Sequence, residues 1–122
     1  MGYIAASVFL VFLLVSALFA PVVAGPLEDG VKAFSHADYA KALKLLEPLA
    51  EKGDIDAQYT LGMIYSKGDG VEQDNVKAYM WFSLAARKGD KDAAADRDQV
   101  GSGMSPDKLD DAKRRVGEWK AN

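Results

Sequence analysis

The stretch from Ala40 to Ala93 says nearly the same thing twice, and nothing else in the 122-residue chain limits its fold as strongly. Displaced by 36 residues, Lys41 falls on Lys77, Ala42 on Ala78, Ala50 on Ala86 and Lys52 on Lys88. Gly53, Asp54, Asp56 and Ala57 then fall on Gly89, Asp90, Asp92 and Ala93. The apolar positions superpose as well: Leu45 on Trp81, Leu46 on Phe82, Leu49 on Ala85. A fixed interval of about 20–50 residues marks a stacked array, in which one unit cannot bury its own apolar face and needs a neighbour.

The units are helical. Leu27, Val31 and Phe34 are spaced for one face of a short helix over residues 27–35, and His36-Ala37-Asp38 makes a turn. Residues 39–52 carry Ala42, Leu45, Leu46 and Leu49 in the amphipathic spacing, with a kink expected at Pro48. Gly53 is placed to end that helix in the left-handed region, and Asp54 to cap the next. The helix over 55–67 should bury Ala57, Leu61, Ile64 and Tyr65. Gly62 inside it costs about 1 kcal/mol against alanine, which implies a close approach by the backbone of a neighbouring helix. Gly68-Asp69-Gly70 closes this helix, and Asp74 or Asn75 caps one that runs to Lys88 and buries Ala78, Trp81, Phe82, Ala85 and Ala86. Beyond Gly89-Asp90 the pattern predicts a helix over 92–100 and a flexible break at Gly101-Ser102-Gly103. Ser105-Pro106 opens a last helix whose sticky face is Leu109, Ala112, Val116 and Trp119. The fold expected for residues 25–122 is all-α, a short α/α solenoid of about three antiparallel helix pairs.

Residues 1–24 stand apart. The run from Tyr3 to Ala20 is interrupted only by Ser7 and Ser16, and Pro21 ends it before the small residues up to Ala24. This reads as an export signal cut after Ala24, with the remainder secreted or periplasmic. About 18 apolar residues also suffice to span a bilayer, so an uncleaved inner-membrane anchor is the alternative.

At Ala57-Gln58-Tyr59-x-Leu61-Gly62-x-x-Tyr65 the sequence resembles a Sel1-like repeat. Gly68-Asp69-Gly70-Val71, Asp74, Lys77-Ala78, Trp81 and Ala85-Ala86-x-x-Gly89-Asp90 continue the likeness. Residues 39–53 resemble the second helix of a preceding unit, with Leu45 where an aromatic is usual. The tail from Met104 to Trp119 is similar to the closing helix that follows such repeats in exported bacterial proteins. The resemblance implies a solenoid related to tetratricopeptide arrays, acting as an adaptor for other proteins or cell-envelope components. The disulfide-linked branch of that family has paired cysteines in each repeat; this chain has none.

Chemistry has little to work with. The absence of cysteine excludes thiolate metal sites and a cysteine nucleophile, and the scattered basic residues with a net charge of −3 give no nucleic-acid footprint. Ser35, His36 and Asp38 are triad types by name, but sequence neighbours in a turn do not converge in space. Asp54, Asp56, Asp90 and Asp92 sit where helices begin and are read as caps and dipole partners. The loop from Gly68 to Asp74 lacks calcium-loop spacing. Tyr59, Tyr65, Trp81 and Phe82 are read as core. Catalytic groups, cofactor and metal are therefore all expected to be absent. The candidate site is the stripe Asp56, Thr60, Met63 and Lys67, which should line the inner groove of the solenoid and meet a protein or peptide partner. The competing readings are a membrane-anchored scaffold and a cell-wall-associated enzyme or enzyme subunit. Membrane contact is expected only through residues 1–24.

Overall fold

The computed structural model describes residues 25–122, so the expectations for residues 1–24 lie outside it. Six helices make up the described part: α1 Pro26–Ser35, α2 Tyr39–Glu51, α3 Ile55–Lys67, α4 Asn75–Arg87, α5 Lys91–Ser102 and α6 Pro106–Glu118. None of these helices is long and apolar enough to cross a membrane. Successive helices pack on one another from α1 to α5, α1 also touches α3, and α6 lies on α4. This is the short solenoid expected from the repeat.

Each boundary has a local cause. Asp38, Asp54, Asp74 and Asp90 each accept a hydrogen bond from the backbone N–H three residues on, at 3.3, 2.9, 3.0 and 3.0 Å. Helix ends repeat a second device. Asp38 N donates to Ala33 O, Asp54 N to Leu49 O and Asp90 N to Ala85 O, closing the last turn in each case. The residue before the aspartate then has positive φ: Gly53 at 100° and Gly89 at 105°, but Ala37 at 59°. Ala37 carries a Cβ into the left-handed region, a strain of about 1–2 kcal/mol that its two glycine counterparts avoid. Helix α2 runs on through Pro48 without interruption. Both Pro48 and Lys44, whose carbonyl loses its partner there, lie on the exposed side, where water takes over.

Within the first two pairs the helices meet through a glycine. A Cβ on Gly30 would stand 2.6 Å from Leu46, and one on Gly62 would stand 2.5 Å from the Phe82 ring. Leu46 and Phe82 are repeat equivalents, so each pair is closed by the same contact. The close approach expected at Gly62 is therefore made by a side chain rather than by backbone, since the ring fills the space that the missing Cβ leaves. Trp81 is 8% exposed and joins Leu46, Leu61, Ile64 and Leu84 in the larger core; Leu45 is half-buried, beside Gly30.

Further expectations need correction, and Tyr65 and Ala86, expected to be buried, are only half-buried. Val31 is 38% exposed, because Gly30 and Ala33, not Val31, face α2. Helix α4 is buried at every position from Trp81 to Ala85, including Ser83 and Leu84, because α3, α5 and α6 surround it. Gly101 and Ser102 continue helix α5 instead of breaking it. Ser102 Oγ donates to Gln99 O at 2.7 Å, and Gly101 lies against the Tyr79 ring.

The C-terminal tail folds back over the stack. Trp119 packs half-buried against the larger core, so it seals the array. Asn122 N donates to Glu51 O at 2.9 Å, at the end of α2. Lys88 Nζ donates to Gly53 O at the same corner, beside Ala121.

Candidate binding groove

Helices α3 and α5 both pack on α4 but hardly on each other, which leaves a groove between them. Its walls follow from helical spacing. Met63, Ser66 and Lys67 stand three and four residues apart on α3, and Asp96, Gln99 and Val100 do the same on α5. Phe82 of α4 forms the floor. The cavity measures about 480 Å³, within the range of sites that enclose a peptide side chain or a small molecule. Gln73, Asn75 and Gly103 border both this groove and a second cavity of about 700 Å³ between the α3–α4 and α5–α6 loops. The two make one trough.

One end of the groove is pinned. The Tyr59 hydroxyl of α3 donates to Asp96 Oδ2 of α5 at 2.9 Å. The Tyr59 ring lies 5.7 Å from that of Phe82, tilted by 50°. Burial, then the hydrogen bond and charge of Asp96, push the Tyr59 phenol up to about 12, with Asp92 and Asp90 adding to the effect. Tyr59 is therefore neutral and a donor throughout the physiological range. The α3 backbone on this side is also tied down: Ser66 Oγ donates to Met63 O at 3.0 Å, and Gln73 Nε2 to Ser66 O at 2.8 Å.

The structure divides the predicted stripe. Met63 and Lys67 line the groove, Met63 half-buried against Phe82 and its neighbours and Lys67 exposed at the rim. Asp56 is exposed in the first turn of α3, clear of the cavity. Thr60 is only 4% exposed and its hydroxyl donates to Asp56 O at 2.8 Å, so it belongs to the packed side of α3. The facing wall on α5 escaped the sequence reading. Its signal was present: Asp96, Gln99 and Val100 share a face on a helix that buries only Ala93. The remaining candidates sit where their sequence context put them. Asp54 and Asp90 cap, Asp56 and Asp92 occupy first turns, and His36 is exposed at the end of α1. Among the described residues no three His, Cys, Asp or Glu side chains are grouped to hold a metal ion.

Tyr65 and Gln58 fasten α3 to the preceding pair. Tyr65 OH donates to Glu47 Oε1 at 3.2 Å, and the Lys77 ammonium stands 5.1 Å above the Tyr65 ring. Burial and the nearby Glu47 carboxylate raise the Tyr65 phenol above its ordinary value. Gln58 is fully buried, and its Nε2 donates to Ala50 O at 3.0 Å.

Comparison with known proteins agrees with this architecture. The Sel1 repeat profile matches residues 27–54 and 55–90, more than half of the chain, and the division falls at the Asp54 junction between α2 and α3. An exopolysaccharide production negative regulator of Rhizobium leguminosarum bv. viciae is 33% identical over 60 residues, 49% of this chain and 22% of the relative. The Sel1-repeat-containing protein YjcO of Escherichia coli is 40% identical over 53 residues, 40% of this chain and 23% of the relative. The aligned part thus spans less than a quarter of either relative.

Proposed function

The chain belongs to the Sel1-repeat family, and on that premise we propose that it is a non-catalytic adaptor which holds a segment of another protein in the α3–α5 groove. The observation that carries this reading is the make-up of the groove, with an aromatic floor at Phe82, an adaptable thioether at Met63 and opposed charges at Lys67 and Asp96. Phe82 and Met63 accept apolar side chains of varied shape, while Gln99, Lys67 and Asp96 orient a peptide backbone. With so few helix pairs the buried area is small, so affinity is modest unless two copies act together.

The proposal includes export. Residues 1–24 act as a signal cut after Ala24, delivering the repeat domain to the periplasm or outside the cell, or as an inner-membrane anchor if left uncut. A relative named for negative regulation of exopolysaccharide production suits an adaptor role in the cell envelope.

A photo-cross-linking side chain at Gln99 of the full chain, compared with one at Lys44 on the outer face of α2, tests the groove in cells. Discrete protein adducts should form from position 99 and vanish with Met63→Glu. Equal adducts from both positions, or adducts that survive Met63→Glu, would remove the groove assignment. Intact mass of the same preparation decides between a cleaved signal and an anchor.

A further inference from the structure

The third helix pair is not closed as the first two are. In the 36-residue register, Leu61, Gly62 and Gln58 of α3 correspond to Arg97, Asp98 and Ala94 of α5. With the N-caps Asp74 and Ser105 aligned, Phe82 of α4 corresponds to Lys113 of α6. Leucine, glycine and phenylalanine close the second pair; arginine, aspartate and lysine stand in their places in the third. Such side chains are not buried against each other, and α5 and α6 diverge over α4.

The gap they leave is a cleft of about 430 Å³. Arg87, Arg97 and Lys113 line it, with Tyr79, Ala86, Ala94 and Val116 supplying apolar surface and no acid among the lining residues. In a chain of net charge −3 this is a local inversion of sign. Other cations nearby are neutralised: Arg114 pairs with Asp111 and Glu118, and Arg115 with Asp111. Arg97 pairs through Nε with its exposed neighbour Asp98, while Arg87 and Lys113 have no ion-pair partner among the described residues. A second observation is independent of charge. Ser83 also lines the cleft and is 7% exposed, yet its hydroxyl has no hydrogen-bond partner among the described residues. A buried unpaired hydroxyl is costly unless something else meets it.

We propose that this α4–α5–α6 cleft is a binding site for a carboxylate carried on a short apolar body. The guanidinium forks of Arg87 and Arg97 match a planar carboxylate, Lys113 adds charge, and the Ser83 hydroxyl donates from the floor. The apolar part lies on Ala86, Ala94 and Val116. Two sources present this chemistry: the C-terminus of a peptide ending in an apolar residue, and a free short-chain fatty acid. The site is separate from the α3–α5 groove and stands or falls without it.

The test is an NMR titration of the full chain, following the methyl groups of Ala94 and Val116. The probes are acetyl-Ala-Ala-Leu as free acid, the same peptide as its C-terminal amide, hexanoate, and inorganic phosphate. The acid peptide or hexanoate should shift both methyls with saturation, and the amide should bind at least about tenfold more weakly. A peptide response assigns the protein C-terminus as ligand; a response to hexanoate alone assigns the free acid. Arg87→Gln combined with Lys113→Gln should weaken binding at least about tenfold. Ser83→Ala should weaken it several-fold while leaving Tm unchanged or higher. The proposal is overturned if neither acid shifts the methyls, if the amide or phosphate binds as well as the acids, or if Lys41→Gln with Lys44→Gln weakens binding as much as the cleft pair.

Discussion

Tyr59 does two jobs with one side chain, since its ring packs on Phe82 while its hydroxyl ties α3 to Asp96 on α5. The tie needs the phenol protonated. Its folded-state value of about 12 lies above the unfolded value of about 10, so its contribution is complete below pH 10 and fades as pH climbs through 12. Tyr59→Phe should therefore cost about 0.5–1.5 kcal/mol at neutral pH. The difference from the parent should shrink between about pH 10 and 12, as measured by urea unfolding at stepped pH. A difference that stays constant over that window would show that the hydroxyl is not the tie. Thr60 teaches the opposite lesson at the same scale. One turn of helix separates the surface stripe from the packed stripe, and spacing alone placed Thr60 on the wrong side of that boundary, since it gives no sign of how closely the neighbouring helices pack on α3.

At the level of helices, the glycine seats decide how closely a pair can close. Gly62→Ala gains about 1 kcal/mol of helix propensity but drives a methyl into the Phe82 ring, which is 1% exposed and hemmed in by Tyr59. The net effect should be a loss of about 1–3 kcal/mol, read from the thermal midpoint, whereas Gly117→Ala on α6, with open space around it, should be neutral or stabilising. Helix existence, the aspartate caps and the glycine junctions were legible in the sequence because each rests on local chemistry: an aspartate, the N–H three residues on, a glycine that tolerates positive φ; the end of α5 was not, since Gly101 and Ser102 stay helical. Burial of Ser83 and Leu84 was not legible, because an amphipathic pattern presumes one solvent face and α4 has three helical neighbours. The groove was half legible. Its α3 wall continues a pattern of apolar spacing, but its α5 wall lies on a helix with almost no apolar face to orient it.

For the molecule as a whole, a row of stacked hairpins should fray from its ends, because each unit contacts only its neighbours. The tail changes that expectation here. Trp119 leans on the core built by the first two pairs, and Asn122 is bonded to Glu51. Removing residues 119–122 should lower stability by about 1–3 kcal/mol, chiefly through lost indole burial. It should also speed amide exchange throughout α5 and α6 while sparing α3 and α4. Exchange that accelerates evenly along the chain would count against the tail as a clasp. The Asn122 amide thus joins the segment beyond α6 to the end of α2, and the described array becomes a closed circuit. Loss of order should then begin when residues 119–122 lift from that corner, before α1 or α6 peels away.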